Sequence, residues 1–305
     1  MTANAIEIVE VAPRDGLQNE KVLVSLEDKA ELIRRLIDCG ARRIEVGSFV
    51  NPKKVPQMAG TDELLAMLPR RDDLTYIGLV MNMRGLERGL AAGIDEAGAV
   101  CVSTDGFAMR NQGQTSDESI AIASEIVLAA KAAGKSGQVT IGAAFGCPFE
   151  GEVAPERVVA MARKLAEVSP REIALADTIG VAVPAQVSGL VTQVREAVGG
   201  IPIRVHLHNT RNTGIANAWA AIEAGATTLD AALGGIGGCP FAPNATGNIA
   251  TEDLLYMLDR SDVATGYDLA AAIGHARWLE TIMNKPLPAM VSRAGSFPQI
   301  LEQKA

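Results

Sequence analysis

Two of the three histidines in this 305-residue chain, His206 and His208, are separated by a single residue at the end of the strand-like stretch 203–205. In an extended strand alternate side chains share a face, so both imidazoles point the same way. Two imidazoles side by side at a strand end can bind one divalent metal. Taken alone, the pair fits two hydrogen-bonded histidines equally well, and residues elsewhere must decide. Further reactive side chains gather at other predicted strand ends: Arg14 and Asp15 after the first, Glu45 in the second, Asp177 after the sixth, Cys239 and Asn248 beyond the eighth. A carboxylate with two imidazoles makes a facial metal site with open positions for substrate oxygens. Oxygen donors such as Asp15 and Asn248 favour magnesium or manganese, and the histidines would also accept zinc.

These residues depend on a repeating scaffold. Strands are predicted over 6–11, 44–46, 76–80, 99–103, 139–145, 172–176, 203–206 and 228–232, with short β-branched runs and turn residues as the signal. Helices alternate with them. The first is opened by Ser25, with Asp28 three residues on, carries Leu32, Ile33, Leu36 and Ile37 at helical spacing, and is closed by Gly40. Thr61 is the expected cap of the next, which runs through Leu68. The others span 84–92, 116–133, 155–168, 184–198, 213–224 and 250–258, two of them with proline in the first turn (Pro155, Pro184). Eight strand–helix units in strict alternation imply a closed α/β barrel, (β/α)8, more readily than an open doubly wound sheet. The open sheet would usually carry a phosphate loop after strand one, which Pro13-Arg14-Asp15-Gly16 is not. An added helix is expected over 267–280. Residues 1–285 are read as one catalytic domain and 286–305 as a C-terminal tail.

Composition bounds the function. The formal net charge of −8 argues against a general nucleic-acid binder, although a local arginine cluster could still serve an anionic substrate. No apolar run approaches the roughly 20 residues that span a bilayer. The four cysteines, Cys39, Cys101, Cys147 and Cys239, form no Cys-x-x-Cys pair. With no recognisable signal peptide, they point to a reducing, cytoplasmic setting. Cys39 and Cys101 fall in a helix and a strand and read as packing residues, as does Cys147 in its loop, while His275 reads as structural.

Several separated motifs now point to a family. The run 13–20 (PRDGLQNE), the His206-x-His208 pair, Gly146-Cys147-Pro148-Phe149-Glu150-Gly151, Asp177-Thr178-Ile179-Gly180, the loop 235–240 (GIGGCP) and the run 247–253 (GNIATED) resemble, in order, the 3-hydroxy-3-methylglutaryl-CoA lyases. These belong to the wider metal-dependent aldolase and Claisen-condensing barrels, and the resemblance covers about residues 7–285. It implies a retro-Claisen cleavage of a 3-hydroxy-3-methylglutaryl-type thioester to acetyl-CoA and acetoacetate. Asp15, His206, His208 and Asn248 would hold Mg2+ or Mn2+, Arg14 would stabilise the enolate oxygen, and Cys239 would protonate the enolate carbon or relay a proton. Glu45 and Asp177 would handle protons or orient the ligands. The expected partner is a small-molecule acyl-CoA, with a homodimer among the assemblies the chain could form.

The resemblance breaks just after the histidines. Family members continue with Asp and then Thr-Tyr-Gly-Gln, whereas this chain reads Asn209-Thr210-Arg211-Asn212-Thr213. Arg211 brings a cation where a phenol is expected. Together with Gln18 it is a candidate contact for the substrate, one that could change the acyl group accepted. The alternatives are therefore a lyase for citramalyl-CoA or a longer 3-alkyl analogue, or a Claisen-condensing enzyme of the same barrel type. The Cys239 loop disfavours the condensing enzyme, and the full set of ligating residues disfavours a non-catalytic binding barrel.

Overall fold

Eight parallel strands close into a barrel in sequence order, β1 (Glu7–Glu10), β2 (Arg43–Ser48), β3 (Thr75–Val80), β4 (Glu96–Val102), β5 (Ser136–Gly142), β6 (Ile173–Asp177), β7 (Ile203–Leu207) and β8 (Thr228–Ala231). The structure, a computed structural model, describes residues 5–238 and 247–298. Around the barrel run α1 (Leu26–Asp38), α2 (Thr61–Ala66), α3 (Met83–Ala92), α4 (Asp105–Gln112), α5 (Ser116–Ala132), α6 (Pro155–Ala166), α7 (Pro184–Ala197), α8 (Gly214–Glu223) and α9 (Thr251–Arg260). Two further helices follow, α10 (Leu269–Met283) and α11 (Val291–Ala294). Parallel neighbours need a crossover between them, and the strand–helix alternation of the sequence supplies it. The (β/α)8 barrel is the architecture expected. Among the described residues no helix is long and apolar enough to cross a membrane.

Local chemistry explains most boundaries. Asp28 N donates to Ser25 Oγ (3.0 Å) at the start of α1, whose Leu32, Ile33, Leu36 and Ile37 are buried. One cap differs from expectation. The residue preceding α2 is Gly60 in a left-handed conformation, and Thr61 is the first helical residue. The Thr61 hydroxyl donates backward, to Met58 O at 2.9 Å, and among the described residues no side chain caps the helix amides. Helix α4 was not anticipated because its polar run buries only Phe107 and Ala108, leaving no apolar stripe to read.

Aliphatic residues fill the layer between strands and helices, but the inside of the barrel is charged. Barrel interiors are usually packed with branched aliphatics. Here buried Arg43 pairs with Glu96 and with Glu172 (2.7 Å), Glu172 also meets Arg204 Nε (3.0 Å), and Arg204 Nη1 reaches Asp230 (3.0 Å). Each charge is matched by an opposite one, which such burial requires. The ladder climbs from the strand starts toward their carboxyl ends.

At that end two loops touch backbone to backbone. Residues Ala12–Gly16 form one wide helical turn, closed by Gly16 N donating to Val11 O (3.1 Å). A Cβ on Gly16 would lie 2.6 Å from the Ile236 side chain, and one on Gly237 (φ +113°) would lie 2.6 Å from Asn248 Nδ2 and 3.0 Å from Gly16 Cα. Glycine at both positions lets the loop after β1 and the loop after β8 close together. Beyond α10, Met290 N and Val291 N donate to Asp253 Oδ1 (3.0 and 2.7 Å), and Ala289 N donates to Gly234 O (3.3 Å). The segment around α11 is thereby fastened to the start of α9 and the β8 loop.

Candidate active site

A cavity of about 800 Å³ opens at the carboxyl ends of the strands. Strand alternation decides what faces it: Arg204 and His206 from β7 and His208 just beyond it line the cavity, as do Ala176 and Thr178 on either side of Asp177. Arg14, Asp15, Gln18, Glu45 and Asp230 line it too.

Three ligand atoms converge there. His206 Nε2 and His208 Nε2 are 3.1 Å apart, and Asp15 Oδ2 lies 3.8 Å from the first and 3.9 Å from the second. Two ligands held at right angles about 2.1 Å from one ion would sit about 3 Å apart, so the imidazole spacing suits a shared cation. Asn248 donates through Nδ2 to Asp15 Oδ2 (2.9 Å) and to Ile236 O (3.1 Å), while its buried Oδ1 has no partner. Asp15, His206 and His208 are thus a group able to hold a metal ion, with an uncommitted amide oxygen beside them.

Burial would push Asp15 upward, but the positive charge of Arg14 and the two imidazoles hold its carboxyl well below the usual range. His208 is pushed down to about 4 by burial and by its neighbour His206, which keeps it neutral, the charge state in which an imidazole ligates a metal. Burial also works against the charge of Asp230, yet Arg204 and the hydrogen bond to His206 leave it below its ordinary value. Glu45 goes the other way. Burial raises its pKa in spite of Arg14.

The sequence-derived candidates separate cleanly. Arg14, Asp15, Gln18, Glu45, His206 and His208 share the cavity, and Asn248 abuts it through Asp15. Asp177 and Arg211 are not among the lining residues. The Asp177 carboxylate accepts from Val181 N (2.9 Å) and Ala182 N (3.1 Å), which fastens the turn after β6. Arg211 Nη1 donates to Ile179 O (3.2 Å) and Gly180 O (2.8 Å), and Asn209 Oδ1 accepts from Gly214 N (3.0 Å) at the start of α8. Cys239 lies outside the described residues. Cys147 is buried, accepting from the Thr104 hydroxyl at 3.1 Å.

Sequence reasoning missed Asp230 and Arg204. Their signal was an ionisable residue flanked by apolar ones inside a predicted strand, Leu229-Asp230-Ala231 and Ile203-Arg204-Val205. It also missed the rim, where exposed Lys54 and Arg84 line the cavity beside Arg88, itself paired with Asp62 (2.8 Å).

Comparison with known proteins adds an independent line. The HMGL-like family profile matches residues 5–277. The chain is 47% identical to the (R)-citramalyl-CoA lyase of Chloroflexus aurantiacus, with 97% of each chain covered. It is 38% identical to a hydroxymethylglutaryl-CoA lyase of Bacillus subtilis, covering 93% of this chain and 95% of that one. Among solved structures, an HMG-CoA lyase from Acinetobacter baumannii in complex with coenzyme A and 3-methylmalate superposes with a TM-score of 0.94 at 37% identity, covering 99% of both chains.

Proposed function

We propose, since the chain belongs to the HMGL-like family, that it is a lyase cleaving a 3-hydroxy-3-methyl diacid bound to CoA as a thioester, releasing acetyl-CoA and a keto acid. The observation that carries this reading is the meeting of Asp15, His206 and His208 within one cavity that also holds Arg14 and Glu45. Asp15, His206, His208 and the free amide oxygen of Asn248 would hold a divalent ion, which would supply Lewis acidity that lowers the pKa of the substrate hydroxyl. Mg2+ or Mn2+ suits the oxygen donors, and Zn2+ is compatible with the imidazoles.

The protein's own groups do the rest. Glu45, whose proton affinity is raised by burial, accepts the hydroxyl proton. The carbon–carbon bond then breaks, a ketone forms at the former carbinol carbon, and the electron pair passes to the thioester enolate. Arg14 has a buried Nε without a partner and presents positive charge to the enolate oxygen. The thiol of Cys239 delivers a proton to the enolate carbon, and exchange with solvent resets both groups. Lys54 and Arg84 at the rim suit the phosphates of the CoA portion.

Two substrates fit this chemistry. The parent reading is 3-hydroxy-3-methylglutaryl-CoA, which yields acetoacetate. The second is (R)-citramalyl-CoA, one methylene shorter, which yields pyruvate. The 47% identity to a lyase of that name, against 38% to a hydroxymethylglutaryl-CoA lyase, favours the second. The 3-methylmalate bound by the Acinetobacter relative carries its hydroxyl and a carboxylate on one carbon, as citramalyl-CoA does. Incubating the purified protein with each thioester and Mn2+ or Mg2+, and identifying the keto acid released, tests both. Release of acetyl-CoA from neither would overturn the lyase reading.

A further inference from the structure

The carboxylate of Asp230 stands between two hydrogen-bond donors. Oδ2 lies 3.0 Å from His206 Nδ1, and Oδ1 accepts from Arg204 Nη1 at 3.0 Å. Arg204 has no freedom to leave, since Glu172 lies 3.0 Å from its Nε and Nη2 donates to Gln138 Oε1 and to Thr140 Oγ1 (3.1 Å). A guanidinium can only donate, so Asp230 Oδ1 must accept, and the fully ionised carboxylate leaves Oδ2 to accept from the imidazole.

We infer that Asp230, held by Arg204, is a positioning residue that fixes the tautomer of His206, placing its proton on Nδ1 and its lone pair on Nε2 among Asp15 and His208. Nε2 is the nitrogen that meets His208 Nε2 at 3.1 Å. A neutral pair at that distance needs one donor and one acceptor. In the metal-free protein with both rings neutral, as at alkaline pH, His208 must therefore carry its proton on Nε2 and donate it to His206. The two rings hold opposite tautomers, and the assignment originates at Asp230. Metal-bound imidazoles commonly donate their second N–H to a carboxylate, which orients the ring and strengthens the ligand. The inference rests on the proposed role of His206 as a ligand, and its test separates the two.

Replacing Asp230 by Asn provides the contrast. The Asn carbonyl must still face Arg204, which cannot accept, so the amide NH2 turns toward His206 Nδ1. That nitrogen can then only accept, and the imidazole proton is driven to Nε2, where it blocks coordination. The experiment uses 15N-histidine labelling of the full chain, whose three histidines keep the spectrum simple. Nitrogen shifts are recorded in metal-free protein at alkaline pH, followed by Mn2+ titration calorimetry. The native protein is expected to show His206 protonated at Nδ1 and His208 at Nε2. Asp230→Asn is expected to show both reversed and to bind Mn2+ roughly 10- to 100-fold more weakly. A native His206 protonated at Nε2 would overturn the inference without any variant. Reversed tautomers with undiminished Mn2+ affinity would instead overturn the role of His206 as a ligand.

Discussion

Glu45 Oε2 lies 2.7 Å from Arg14 Nη2, on a guanidinium whose Nη1 is already 2.6 Å from Asp15 Oδ1. Arg14 is thus gripped by two carboxylates of opposite character: Asp15 is strongly acidified, and Glu45 is raised by its burial. One can serve a cation, and the other can receive a proton.

The first prediction follows from that asymmetry. Glu45→Gln keeps a hydrogen-bond acceptor for Arg14 but cannot take up a proton. Its kcat is expected to fall by roughly 10²- to 10⁴-fold, with Mn2+ affinity unchanged by calorimetry. Native kcat in this variant would reduce Glu45 to a holder of Arg14.

Removal of metal should be visible in stability as well as turnover. Chelation with EDTA is expected to abolish acetyl-CoA release, with recovery on adding Mn2+ or Mg2+. Ligand linkage at 100 times the dissociation constant contributes about 2.7 kcal/mol, so Tm should rise by a few degrees with saturating Mn2+. In His206→Ala neither effect should appear. A Mn2+-dependent rise in Tm in that variant would move the site elsewhere.

The rim cations separate binding from chemistry. Lys54 and Arg84 are exposed residues of the cavity lining and take no part in proton transfer. Replacing either with Ala should raise KM for the CoA thioester by about tenfold and leave kcat alone, in line with a lost charge-assisted hydrogen bond. Steady-state kinetics at two salt concentrations would check this, because the native KM should rise with salt more steeply than that of the variants.

Arg211 offers a negative prediction. Its guanidinium is bonded to the carbonyls of Ile179 and Gly180 and does not line the cavity. Arg211→Tyr should therefore leave the ratio of pyruvate to acetoacetate formed from the two thioesters unchanged, while costing about 1 kcal/mol of stability. A shifted ratio would bring Arg211 into substrate recognition.

The contrast between Arg211 and Asp230 shows what sequence can carry. The barrel was legible because eight β-branched runs alternate with helices whose caps and apolar stripes are local signals, as with Ser25 and Leu32-Ile33-Leu36-Ile37. The metal candidates were legible because His206 and His208 share a strand face and Asp15 follows a strand end. Asp177 could not be placed the same way: it ends a strand too, but alternation sends Ala176 and Thr178 into the cavity and leaves Asp177 to the turn beyond it. Asp230 depended on register. Val205 pairs with Leu229, which brings His206 beside Asp230 only once the β7–β8 ladder is known. Arg211 drew attention through its residue type, and only the fold shows where its side chain goes.

A last prediction concerns Glu10, buried at the end of β1. Its Oε1 accepts from Ala12 N (2.9 Å) and Leu233 N (3.0 Å), and Oε2 lies 2.7 Å from the Thr251 hydroxyl. These bonds tie the loops after β1 and β8 to the start of α9. Burial outweighs their effect and raises the carboxyl to about 7. Because the folded pKa lies above the unfolded one, the native state holds a proton that the unfolded chain releases above about pH 4.5. The resulting stability is fully present below that pH, is lost as pH rises through about 7, and amounts to at most on the order of 3 kcal/mol. Protonated Glu10 can donate to Thr251 while still accepting both amides, and a glutamine can do the same at every pH. Glu10→Gln should therefore flatten the decline in unfolding free energy measured by denaturant titration between pH 5 and pH 8. An unaltered slope would assign the pH dependence to other groups, of which Glu252, likewise raised to about 7 by burial, is the first to replace.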